Sequence, residues 1–66
     1  MESLTKRETQ ILRMVADEFS SEDIAVKLNL SIRTVETHRK NIAAKVGSSN
    51  LAALTKYAIK NKIISI

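Results

Sequence analysis

Apolar residues along this chain return every three or four positions, the period of a helix with one face buried. Ile11, Leu12, Val15 and Phe19 form the first such stripe. It opens at Thr5-Lys6-Arg7-Glu8, a capping box in which Thr5 accepts from the Glu8 amide and Glu8 reaches back, so a helix is predicted from Lys6 to about Asp17. Ile24, Ala25 and Leu28 make a second, shorter stripe. Ser20 caps it, Asp23 stands at the third helical position, and Glu22 and Asp23 suit the positive end of the helix dipole. That helix, residues 21–28, ends at Asn29, a residue that tolerates the left-handed conformation.

The third helix follows at once, with Ser31 as its start, and spans residues 32–46. So short a turn sets helices two and three at a steep crossing, the geometry of a helix-turn-helix unit. Val35, His38, Ile42 and Val46 fall on one face and are expected to pack inward. Arg33, Glu36, Thr37 and Lys40 fall on the other. Gly47 sits where a helix-ending glycine belongs. A fourth helix starts after Ser49 or Asn50 and runs to about Asn61, residues 51–61. Leu51, Ala52, Leu54, Thr55, Ala58 and Ile59 form its wide apolar arc, with Ala53 and Tyr57 outside. The tail Ile63-Ile64-Ser65-Ile66 is expected to fold back over the core or to be partly loose.

Composition points the same way. Pro is absent, Gly occurs once and aromatic residues are 3% of the chain, so both strand formers and turn residues are scarce. The expected fold class is all-α, a four-helix bundle containing a helix-turn-helix. At 66 residues the chain makes one small domain, expected to span 1–66 and to bury only about 60% of its unfolded surface. With no Cys and one His there is no disulfide framework and too few ligands for a structural metal, so neither metal nor cofactor is expected. No apolar run is long enough to span a membrane. The charged opening MESLTKRETQ lacks the apolar run of a signal peptide, which argues for a cytoplasmic protein.

Charge is unevenly shared. Residues 1–30 carry four basic side chains against six acidic, and residues 31–66 carry seven basic against Glu36 alone. A basic half on an otherwise balanced domain points to a polyanionic partner. Catalysis finds little support. His38 is the one neutral-range base and faces inward as a packing residue. Asp17-Glu18 and Glu22-Asp23 flank a helix boundary, where capping and the dipole account for them. No phosphate-binding glycine loop or nucleophile motif is present.

Double-stranded DNA fits better. A helix over 32–46 fits the major groove, which is about 12 Å wide. Arg33, Glu36, Thr37 and Lys40 offer it long donors, one acceptor and a methyl, a mix suited to base edges, whereas a membrane-surface helix would set apolar bulk opposite a uniformly basic face. Ser31 and Thr34, with the free amides at the helix start, are expected to hold phosphate. Arg39, Lys45 and Asn50 are counted with them as phosphate contacts. The surplus apolar surface of helix four and the two-faced side chain of Tyr57 point to a weak two-fold homodimer through Leu54, Tyr57 and Ala58, closed on adjacent DNA half-sites.

With these residues in view, the chain resembles LuxR-type helix-turn-helix domains, the output domains of NarL/FixJ-class response regulators. The likeness opens at Leu4-Thr5-Lys6-Arg7-Glu8 and continues through Ser20, Asp23-Ile24-Ala25 and Leu28. It is densest over Ser31-Ile32-Arg33-Thr34-Val35-Glu36-Thr37-His38-Arg39-Lys40-Asn41-Ile42, and returns at Lys45-Val46-Gly47 and Tyr57-Ala58. The resemblance implies that helix three is the recognition helix, that Glu36, Thr37 and Lys40 fall where the family contacts bases, that helix four is the dimer element, and that His38 is structural.

Two positions depart from the pattern. Glu18 stands where the family has Gly at the end of the first helix, so that turn is expected to be strained or the helix longer. Ile32 stands where the family has a charged residue, leaving an apolar group beside the DNA face. The receiver domain that such regulators carry upstream is absent from these residues, and an excised output domain of a two-component regulator is favoured over a free-standing member of the family. Two other readings compete. One is the promoter-reading region of a sigma factor, against which His38 and the fourth helix speak. The other is a co-regulator or protein-interaction module of the same fold without DNA binding, against which the row on helix three speaks.

Overall fold

The computed structural model describes residues 3–65; Met1 and Glu2, which open the expected domain, and Ile66, the last residue of the tail, lie outside the described residues. Four helices follow in order, α1 (Lys6–Ala16), α2 (Ser21–Leu28), α3 (Ile32–Val46) and α4 (Leu51–Lys60), with no strand among the described residues. Each starts on a side-chain cap. Thr5 and Ser20 form capping boxes with Glu8 and Asp23, Ser31 Oγ accepts from the Thr34 amide, and Asn50 Oδ1 accepts from the Ala52 amide. These bonds satisfy amides that the first turn of a helix leaves orphaned.

The four helix ends share a device. At each, one residue just past the last turn adopts a left-handed backbone: Glu18 (φ 65), Asn29 (φ 55), Gly47 (φ 95) and Lys62 (φ 59). After α1 the Glu18 amide donates to the Val15 carbonyl and the Phe19 amide to that of Met14, at 2.9 and 3.0 Å. Leu30 and Ile63 repeat the longer bond to Ala25 and Ala58, each at 2.8 Å, so three ends are Schellman motifs. Gly47 closes α3 with a single bond to Ala43 at 2.8 Å. The first helix is therefore not extended through the Glu18 turn. It stops at Ala16, and the turn carries the strained residue. Phe19 reaches the core from that turn and not from the helix, half-buried with Lys27 Nζ 5.5 Å from its ring centre.

α3 runs through the middle of the bundle, packed by α1, α2 and α4, while α4 also lies along α1. Ile11, Leu12, Val15, Ile24, Ala25, Val35, Ile42, Leu54 and Ala58 make the core. A buried cross-link joins α1 to the end of α3. Glu8, 5% exposed, accepts from the Thr5 amide at 2.9 Å and from Lys45 Nζ at 2.8 Å through the same Oε1. These donors, Lys45 first, hold its carboxyl below the usual 4.5 against the opposing effect of burial. Lys45 Nζ also donates to the Ser3 carbonyl at 3.4 Å. The tail folds back as far as it is described: Ile63 and Ile64 pack against the core, and the Ile63 carbonyl accepts from Arg13 Nε at 3.2 Å.

Candidate nucleic-acid interface

Three residues, Asn29 to Ser31, separate α2 from α3. Asn29 turns the chain left-handed there, and Leu30 packs on the core and pins the turn. Ser31 then caps α3 and bonds Thr34 Oγ1 through its own Oγ at 2.8 Å. The two hydroxyls expected to meet phosphate thus form one small exposed polar cluster at the helix start. Beyond it Val35 and Ile42 drive one face of α3 into the core, with His38 and Val46 half-buried beside them.

The opposite face is bare. Arg33, Glu36, Thr37 and Lys40 are all exposed, and Asn41 and Ala44 extend the same face by another turn. Among the described residues, the side chains of Arg33, Glu36 and Lys40 enter no hydrogen bond or ion pair. The i, i+4 pair open to Glu36 and Lys40 by spacing is not formed, so carboxylate and ammonium both stand open to solvent. Thr37 differs, because its hydroxyl donates back to the Arg33 carbonyl at 3.0 Å. Periodicity alone would have added Asn41, one turn after Thr37, to this row.

The remaining expected contacts are distributed otherwise. Arg39 is half-buried and donates from a terminal guanidinium nitrogen to Ser21 Oγ at 3.2 Å, tying α3 to the start of α2. Asn50 is exposed but its Oδ1 is occupied as the cap of α4. Lys45 is drawn to the α1 side by Glu8 and does not join the open face. Nothing local in the sequence marks that pairing, since the partners lie 37 positions apart.

Helix four corrects the expected dimer surface. Leu54 and Ala58 are 5% and 0% exposed, spent on the core and not available to a second copy. Tyr57, expected outside the apolar arc, is half-buried against that core. The helix is rolled so that Leu51, Ala52 and Ile59 face outward instead. The rotation follows from packing: α4 must serve both α1 and α3, and the seam between them meets Leu54 and Ala58.

No group of His, Cys, Asp and Glu among the described residues is placed to hold a metal ion. No described helix is long and apolar enough to cross a membrane. A short capped turn, a helix anchored by one face and a mixed-polarity face left open define a helix-turn-helix domain of the DNA-binding kind. Comparison with known proteins agrees. Residues 2–58 match the family described as bacterial regulatory proteins, luxR family. The chain belongs to that family, a family of regulators and not of enzymes, and is a DNA-binding domain of transcription regulation. It is 39% identical over 61 residues to the oxygen regulatory protein NreC of Staphylococcus aureus, in strains JH9 and JH1 alike, covering 92% of this chain and 28% of NreC. Among solved structures, the response regulator ChrA of a heme-sensing two-component system superposes with a TM-score of 0.85 at 33% identity, over 97% of this chain and 32% of ChrA. The chain thus spans about a third or less of the length of these relatives.

Proposed function

We propose that this chain is the sequence-reading output domain of a response regulator, with α3 in the major groove and a receiver domain upstream in the full-length protein. The observation that carries the reading is the open face of α3, where Arg33, Glu36 and Lys40 stand without partners among the described residues. A helix face serving only solubility would be expected to pair Glu36 with Lys40, a contact worth about 0.2–0.5 kcal/mol. Arg33 and Lys40 supply donors for guanine or phosphate, Thr37 presents a methyl, and Glu36 accepts from the exocyclic amine of cytosine. Ser31 and Thr34, with Arg39 behind them, hold the backbone at the helix start. Two copies meet through α4 on adjacent half-sites, using the outward Leu51 and Ile59 with the edge of Tyr57.

The test is a selection from random duplex DNA, run in parallel on the wild type and Glu36→Gln. The wild type should enrich a defined site. The variant should relax preference at one base pair per half-site, by about 1–3 kcal/mol, with non-specific affinity held or raised. Identical sequence logos would remove Glu36 from the reading row.

A further inference from the structure

Ile32 opens α3, yet it belongs neither to the core nor to the apolar shell packed on it. It is 48% exposed, where most large aliphatic side chains of the chain are covered. Nothing about starting a helix asks for it. Ser31 already supplies the cap, and a first turn gains from acids or small polar residues, not from a β-branched apolar one. Its place is specific: one helical turn before Glu36, at the flank of the open face and not in its centre.

A flank position meets the wall of the groove and not its floor. The major groove offers one apolar group there, the C5 methyl of thymine, which stands near the backbone of its own strand. Every other base presents polar edges or a bare C5–H. We propose that Ile32 is a specificity-determining residue that reads a thymine methyl beside the base pair met by Glu36. The inference rests on α3 lying in the major groove as proposed above. It assigns to this chain a preference for thymine over cytosine at that position, made by apolar contact and not by hydrogen bonding.

The experiment starts from the duplex enriched by the wild-type chain. Each thymine is replaced singly by deoxyuridine, which removes only the methyl, and binding is titrated with the wild type, Ile32→Val and Ile32→Ala. At one thymine per half-site the wild type should lose about fourfold, the worth of one buried methyl. Ile32→Val should keep that penalty, and Ile32→Ala should bind both duplexes alike while melting within a few degrees of the wild type. A wild type indifferent to every replacement overturns the assignment and leaves Ile32 against sugar or solvent. A penalty that survives unchanged in Ile32→Ala also overturns it, giving the methyl to another side chain such as Thr37. If the wild type enriches no site at all, the groove reading itself fails and this inference falls with it. Enriched sites whose methyls do not matter sink the inference alone.

Discussion

Glu18 holds a left-handed backbone (φ 65) that costs an L-residue with a Cβ about 1–2 kcal/mol. It is held there because the Schellman bonds and the docking of Phe19 both need the chain to reverse at that point. Glycine would relieve the strain while adding about 0.5–1 kcal/mol of unfolded-state freedom. We expect Glu18→Gly to raise stability by roughly 0.5 kcal/mol in denaturant melts, whereas Glu18→Ala gains nothing. The mirror substitution, Gly47→Ala, meets no steric neighbour within 4 Å and should cost only the strain of φ 95. Glu8 is the other residue whose removal is felt far away. Its folded pKa lies below its unfolded value, so its stabilising contribution is complete above about pH 4.5 and is lost as the pH falls through the folded value. Acid titration from pH 6 to 3 should therefore destabilise the wild type more steeply than Glu8→Gln. At neutral pH, Glu8→Ala, which removes both cap and ion pair, should cost about 2–4 kcal/mol. Equal acid slopes in wild type and Glu8→Gln would show that the ion pair does not govern the pH response.

For single helices, α4 offers the clearest contrast. Ile59→Lys and Leu51→Lys place a charge on surface that is already 36% and 46% exposed, so both should stay folded. If α4 joins two copies on DNA, each should abolish cooperative binding to a two-half-site duplex and spare binding to one half-site. Leu54→Lys, at 5% exposure, should instead unfold the domain. Cooperativity that survives in both surface variants places the contact elsewhere. This division was not legible in the sequence. The apolar arc of α4 was wide enough to hide which part would be buried, and only the seam between α1 and α3 selects Leu54 and Ala58 over Ile59. Helix starts were legible, because Thr5, Ser20, Ser31 and Asn50 carry their own oxygen to the orphan amides. Helix ends were half legible. Gly47 and Asn29 announce a left-handed residue, whereas Glu18 and Lys62 adopt one only because the segments after them dock. The open row of α3 followed from the helical period, but Lys45 and Arg39 did not, since their partners lie on other helices.

Across the whole molecule, the basic second half sets how strongly salt should act on binding. Lys45 is bonded to Glu8, while Arg33, Lys40, Lys56, Lys60 and Lys62 are exposed. If three to five of the basic groups meet phosphate, log affinity should fall against log salt with a slope of about −3 to −4.5 per monomer. A slope near zero between low and physiological salt would exclude DNA binding of this kind. The two ends of the domain also lie side by side, Ser3 and Leu4 lining one cleft with Arg13, Tyr57 and Ile63. The Ser3 carbonyl lies 3.4 Å from Lys45 Nζ, beside the last turn of α3, while the Ile63 carbonyl is held by Arg13 on α1. A purification tag or surface anchor spliced ahead of Ser3 or after Ser65 is thus delivered to the side where α1 and α4 meet, and not to the open face of α3. For immobilised or fluorescently labelled binding measurements, an attachment at either end leaves the recognition helix open.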